Sequence, residues 1–438
     1  MIIKEVIDKK REGHSLDSAE IRDFIKGFTK GEILDAQMSA LAMAICCKGM
    51  STRETADLTD SMMRSGVMLD WGEGLPTADK HSTGGIGDKL SLIIQPLAAS
   101  CGLRVPSLTG RGLGITGGTA DKLETIPGYN ASLNLEEMKA VVEKTSLAMT
   151  VQTAEICPAD KKLYALRDVT GTVASVPLIT ASILSKKFAE GAETLVFDVK
   201  CGKGAFMKTR EEARELARSL VDSSKASKRK SVALITDMDN PLGLKVGNAN
   251  EVEEALEMLD PNCREKQLRL KEEIDLSVEL ASRMVALAKG LSLEAARVLA
   301  RTKLAEGAAL EKFTQMVAAQ GGDLEAFKTM REKAKVRRFR ISAMRSGFVE
   351  AIDSARVGLV SLGLGAGREK SGDVIDIHAG IDFEVKVGDR VSVGAPLATL
   401  VTSTRPEALE ANAAMLLKSI AIGHNRKEST SLILETIE

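Results

Sequence analysis

Between residues 104 and 259 short apolar runs alternate with longer amphipathic ones, and that alternation restricts the chain more than any other feature. Runs at 104–108, 147–152, 194–199 and 231–237 carry the aliphatic residues of buried strands. Stretches at 88–101, 135–146, 209–227 and 248–259 place apolar residues at helical spacing. Strand, helix, strand repeated in this way calls for a mostly parallel sheet with helices around it. Two further helices, at 160–168 and 176–189, interrupt the repeat. Residues 273–332 read as helical, with capping signals near Asp275 and Ser292.

The two ends have different textures. Residues 1–66 show only helical spacing, at 16–28 and 34–48, and Ser51-Thr52-Arg53-Glu54 forms a capping box. Beyond residue 335, the segments 336–352 and 381–403 alternate with glycine at the turns, which predicts hairpins followed by a short helix. The expected fold class is α/β. It comprises a small all-helical domain (1–66 plus 159–190), a larger mixed α/β domain around a mostly parallel sheet (67–158 plus 191–335), and a β-rich α+β C-terminal unit (336–438).

Charge narrows the partners. Lys plus Arg total 60 and Asp plus Glu 61, so no global positive field attracts nucleic acid or an anionic membrane. Aromatics are 3%, too few for base-stacking platforms. Any phosphate must therefore be held by local geometry. The six cysteines, Cys46, Cys47, Cys101, Cys157, Cys201 and Cys263, show no CxxC spacing and read as free, mostly buried thiols of a reducing compartment. The adjacent Cys46 and Cys47 read as buried helix packing. The charged N-terminus is unlike a signal peptide. No run approaches the roughly 18–20 apolar residues that span a bilayer; the most apolar helical stretch, 33–47, carries Asp35 and Gln37. A soluble, cytoplasmic protein is expected.

Three segments carry chemistry. The first runs from Lys80 to Lys89, KHSTGGIGDK, after a strand and before a helix. Its glycines free backbone N–H groups for an anion, and Lys80 and Ser82 add a charge and a hydroxyl. It lacks the spacing of a Walker loop, and an ordinary glycine-rich turn accounts for it equally well. The second, Thr109 to Thr119, contains GLGITG, but no acidic residue ends a second strand at the Rossmann distance; Glu136 and Glu137 lie in a helical run. Two Gly-Gly-Thr turns more naturally suggest two loops converging on one anion. In the third, Arg167 is followed by Ser182 and Lys186, which share a helix face at i,i+4. Those groups suit a ligand rich in carbonyl oxygens, although on spacing alone Lys186 and Lys187 fit a solvated face.

The strings KHSTGGIGDK, TGRGLGITGGTADKLETIPG, PADKKLYALRDVTGTVASVPLITASILSKK, FDVKCGKGAFMK and GAGREKSGDVIDIHAGI, in that order, resemble the thymidine/pyrimidine-nucleoside phosphorylase family over nearly the whole chain. YALRDVT and PLGLKVGNA look closer to its broad pyrimidine-nucleoside members than to strict thymidine phosphorylases. The resemblance implies cleavage of a pyrimidine nucleoside (uridine, thymidine, deoxyuridine) by inorganic phosphate, giving free base and (deoxy)ribose 1-phosphate. It implies phosphate on Lys80, Ser82, Ser91, Thr109 and Thr119, and base on His81, Arg167, Ser182 and Lys186. Arg167 and Lys186 would meet the leaving base, and His81 would donate to a base carbonyl. It also implies a homodimer joined through the helical domain, and closure across a cleft between the helical and α/β domains. No cofactor is required beyond phosphate as co-substrate.

Several features qualify this. The family usually has His at Ile115 and Ser at Thr109; the first change removes a polar group near the expected sugar position. Bacterial relatives bind potassium through positions matching Gly87, Lys89, Leu242, Lys245 and Glu254. Two of these are lysines here, so either backbone carbonyls still hold the ion or an ammonium paired with Glu254 replaces it. The C-terminal unit also resembles biotinyl/lipoyl-like folds but lacks their hairpin lysine. The alternatives are a thymidine-restricted phosphorylase, an anthranilate-type phosphoribosyltransferase, for which no pair of magnesium-binding carboxylates is identified, and a nucleoside-binding protein without turnover.

Overall fold

Helices Ile3–Arg11, Ser18–Lys30, Asp35–Lys48 and Thr52–Met63 precede the first strand. Two capping boxes start them: Asp17 with Glu20, and Ser51 with Glu54. Their apolar faces, including Phe24, Phe28, Leu41 and Met62, form one core with Leu163 and Leu178 from helices Pro158–Thr170 and Val176–Ala189. The interruption read in the strand–helix repeat is thus two helices returning to the N-terminal bundle. The computed structural model describes residues 2–438 except Leu113, Thr116, Ser371, Ser429 and Thr430; two residues of the second glycine-rich segment, Leu113 and Thr116, therefore lie outside the described residues.

In chain order the strands are β1 (Ala78–Ser82), β2 (Val105–Thr109), β3 (Leu147–Val151), β4 (Thr194–Cys201), β5 (Lys230–Asp237), β6 (Lys245–Gly247), β7 (Arg337–Ser342), β8 (Gly347–Ile352), β9 (Gly380–Phe383), β10 (Arg390–Val391), β11 (Pro396–Thr402), β12 (Ile420–Gly423) and β13 (Ile433–Ile437). β1, β4 and β5 pair in parallel, and β13 adds antiparallel to β5. β2 and β3 form a separate parallel pair. The expected single sheet is therefore split. No ladder joins β1 and β2: a single bridge links Thr77 to Arg104 just before them, and beyond it the Ser107 hydroxyl donates to Asp79 at 3.1 Å, with Gln95 and Lys187 bonded to the same carboxylate. Buried charge fills the seam that a continuous ladder would have closed.

Other expectations change in detail. Lys80, His81 and Ser82 lie on β1 itself, rather than after a strand. Asp275 sits inside helix Lys271–Lys289, paired with Lys271 and Arg301, and caps nothing, whereas Ser292 does cap its helix. β7 and β8 form no hairpin: β7 pairs with β11, and β8 with β10 and β12. Helix Ser354–Gly363 lies within the unit read as β-rich. The strand exchange also crosses the expected boundary at 336, since β6 joins β9 and β13 joins β5. Three cysteines are buried; Cys47 is exposed and Cys46 half-buried, so the adjacent pair is not core packing.

Candidate functional site

Alternation along β1 separates two chemistries. Successive strand residues face opposite sides. Lys80 and Ser82 face the helix Ser91–Ser100 and β4, while Asp79 faces the seam and His81 follows it on that side.

On the first side, Lys80 lies 3.4 Å from both the Ser91 hydroxyl and the Asp198 carboxylate. Lys200 approaches the same Asp198 oxygen to 2.7 Å, and the Thr236 hydroxyl donates to the other at 2.6 Å. Asp198 and Lys200 both come from β4, every residue of which is buried. Ser82 donates to Asp88 at 2.5 Å. Lys122 donates to the Asp88 backbone carbonyl at 2.7 Å and pairs with Glu251 at 2.8 Å. Burial raises the Asp88 carboxyl, but Lys200, Lys80 and Lys122 outweigh it and hold the group below the usual range. Asp198 and Asp88 hold the Lys200 ammonium above its ordinary value against the opposing effect of burial. The result is a floor of three buried lysines, each with an acidic partner, beneath the first glycine-rich loop. Burying a charge is tolerable only when it is paired in this way.

The second glycine-rich loop meets the first through Lys122. It bends so tightly that a Cβ at Gly118 would lie 2.1 Å from the Gly112 nitrogen. Asp121 accepts from Gly112 N at 2.6 Å and from Arg368 at 2.8 Å, and Gly114 N donates to the Arg368 carbonyl at 2.8 Å. Thr119 begins the helix Thr119–Leu123 half-buried. Thr109 ends β2 with its hydroxyl 3.4 Å from the Thr150 carbonyl. Ile115 is half-buried against the core beside Gly358 of helix Ser354–Gly363.

On the second side, Ser182 and Lys186 do share a helix face. The Lys186 ammonium donates to the Ser182 hydroxyl at 3.0 Å and pairs with Asp160. Lys187, by contrast, is buried and overturns the solvated-face reading. It pairs with Asp79, lies 3.2 Å from Glu190, and donates to the Leu108 carbonyl at 2.9 Å. That tie joins β1, β2 and the helix carrying Ser182. Burial pushes the Glu190 carboxyl well above its usual range despite Lys187. Arg167 is buried, and its guanidinium donates to the carbonyls of Thr172, Leu178 and Val173 at 3.1, 3.0 and 2.8 Å. Three of its five N–H groups clamp the turn between two helices, which leaves two for a ligand. His81 joins the two sides. Burial first, then the charges of Lys187, Lys186 and Lys80, hold its imidazole well below its ordinary value.

The sequence reading missed Asp160, Asp198, Lys200, Lys122 and Glu251. Asp198 and Lys200 left a signal: two charges at i,i+2 in the otherwise apolar run TLVFDVKC, with no solvent face to take them. Asp160 left none, because its partner is 26 positions away.

Comparison with known proteins agrees with this layout. Residues 4–66 match the glycosyl transferase family helical bundle domain, 74–310 the a/b domain of the same family, and 348–423 the pyrimidine nucleoside phosphorylase C-terminal domain. The chain is 42% identical over 441 residues to the pyrimidine-nucleoside phosphorylase of Geobacillus stearothermophilus, covering 100% of both chains. It is 41% identical to the thymidine phosphorylase of Mesorhizobium japonicum, covering 100% of this chain and 99% of the relative. Among solved structures, anthranilate phosphoribosyltransferase from Thermus thermophilus shares the fold with a TM-score of 0.58 at 18% identity, covering 72% of this chain and 99% of that one. The chain belongs to the thymidine/pyrimidine-nucleoside phosphorylase family.

Proposed function

From that membership we propose that this chain phosphorolyses uridine, thymidine and deoxyuridine to free base and (deoxy)ribose 1-phosphate. The observation that carries the residue assignment is the two-faced strand β1, with Lys80 and Ser82 on one side and His81 on the other. Phosphate lies on the side of Lys80, Ser82, Ser91, Thr109 and Thr119. The base lies on the side of His81, Arg167, Ser182 and Lys186. A phosphate oxygen attacks C1′ as the C1′–N1 bond breaks, and the bonding electrons leave with the base. Lys186 and the remaining N–H groups of Arg167 then meet charge growing on the pyrimidine, where each donor contributes about 2–4 kcal/mol. His81 donates one N–H to a base carbonyl. No protein nucleophile is needed.

The helices bearing the base residues pack on the N-terminal bundle, and the phosphate residues sit in the α/β part. This supports grouping 1–66 with 159–190 against 67–158 plus 191–335, with closure excluding water that would compete with phosphate, whereas the exchange of β6 and β13 ties 336–438 to the α/β part. Helix Asp35–Lys48 leaves Ala36, Ala40, Met43 and Cys47 exposed, and Tyr164 and Val169 are also exposed. Those residues support a homodimer through the helical domain, which light scattering tests. Six free cysteines support a cytoplasmic location, and no helix among the described residues is long and apolar enough to cross a membrane.

The test is an ultraviolet assay of base release from each nucleoside, with and without phosphate. Phosphate-dependent release from all three is expected. Release only from thymidine favours the restricted alternative, and release without phosphate contradicts the reading.

A further inference from the structure

The family resemblance implies a potassium ion among Gly87, Lys89, Leu242, Lys245 and Glu254, and the side chains here do not fit one. The Lys89 ammonium occupies the centre of that set. It donates to the Leu242 carbonyl at 2.9 Å and to the Lys245 carbonyl at 2.8 Å, and it pairs with the Glu254 carboxylate. Those are three acceptors for the three N–H donors of an ammonium. The lysine side chain is 1% exposed.

The cage is shaped around this group. Glu254 also accepts from the backbone N–H groups of Leu244 at 2.8 Å and Lys245 at 3.3 Å, which fixes the carboxylate. Gly87 takes a positive φ of 72°, and a Cβ there would lie 2.4 Å from the Leu242 carbonyl oxygen, so the wall approaches only because residue 87 is glycine. The second lysine turns away: Lys245 contributes its carbonyl, and its ammonium lies 3.1 Å from Glu253 outside the cage. A metal cation entering this space would meet a fixed positive charge at contact distance.

We infer that Lys89 is a built-in cation that replaces the monovalent metal, and that it acts as a positioning residue for the phosphate loop. Lys89 follows Asp88, whose carboxylate takes the Ser82 hydroxyl and whose carbonyl takes Lys122. Glu251 and Glu254, one turn apart on helix Ala249–Leu259, hold Lys122 and Lys89 respectively. The helix therefore grips the loop on both sides of Asp88 without any diffusible ion. The inference rests on the phosphorolysis reading for only one of its two readouts.

The experiment compares wild-type protein and Lys89→Thr in sodium, potassium and choline chloride at equal ionic strength. Melting temperature is measured without substrate, and phosphorolysis is measured in parallel. Wild type is expected to show the same melting temperature and rate in all three salts. In sodium and choline, Lys89→Thr is expected to lose about 10- to 100-fold in activity, as when a supporting ligand is removed, and to melt lower. Potassium is expected to restore both. A wild-type melting temperature or rate that rises in potassium over the sodium control overturns the inference, whether or not the variant folds. A variant that potassium leaves unrescued also overturns it. The melting arm decides the question even if no nucleoside is cleaved, so failure of the functional reading is distinguishable.

Discussion

The two sides of the site are built in opposite ways. On the side proposed for phosphate, Lys80 and Lys200 are buried and paired with Asp198, and Lys122 is buried and paired with Glu251. In the proposed assignment the anion arrives at charges whose positions are already set. On the side proposed for the base, Lys186 is partly exposed, folded onto its own helix and paired with Asp160, while Arg167 clamps backbone carbonyls. Those donors must share or exchange partners when a pyrimidine arrives. A preset field suits a small, symmetric, doubly charged ion, which gains from fixed dipoles at no reorganisation cost. Adjustable donors suit a planar base whose charge develops only during the reaction.

The largest effect that sharpens this contrast comes from Lys80→Met. It removes a phosphate donor and weakens the pairing of Asp198, so kcat/KM for phosphate is expected to fall about 1000-fold. The melting temperature should drop with it. A loss confined to the nucleoside KM breaks the assignment. Lys186→Met is next. Turnover should fall roughly 100-fold, with the phosphate KM within about threefold, read from initial rates at varied phosphate; a comparable rise in both constants merges the two sides into one.

A smaller effect tests the depressed imidazole of His81. The fold depresses the His81 pKa, so above about pH 6.5 neither folded nor unfolded chain protonates it and it adds no pH dependence. Below that value the unfolded chain takes up a proton that the folded chain refuses. Stability is therefore lost as pH falls from about 6.5 toward the folded pKa. His81→Gln should flatten the stability curve between about pH 6.5 and 5, measured by denaturant titration. An unchanged slope shows that the fold does not depress the His81 pKa. The smallest effect belongs to Thr109. Thr109→Ser keeps the hydroxyl and should stay within about twofold in phosphate KM, whereas Thr109→Val should raise it about tenfold; equal behaviour of the two removes Thr109 from the phosphate side.

What the sequence disclosed follows the same contrast. Helical spacing located the bundle and the crossover helices, because amphipathic faces record burial directly. The glycine-rich turns and the Ser182–Lys186 spacing marked the candidate site, since those are local patterns. β1 was expected to end before Lys80, because Lys80-His81-Ser82 is polar and runs into a glycine-rich turn, and its burial is offset by partners on other elements such as Ser91 and Asp198. The split sheet was hidden for the same reason, as Lys187 reads as a surface lysine until Asp79 and Glu190 are placed beside it. The strand exchange of β6 and β13 depends on long-range pairing that neither segment announces.

The most direct test of the two-faced strand is a pair of hydroxyl deletions, Ser82→Ala and Ser182→Ala, with both Michaelis constants measured in each. Ser82→Ala is predicted to raise the phosphate KM and spare the nucleoside KM. Ser182→Ala is predicted to do the reverse. Both variants shifting both constants by the same factor would contradict the account.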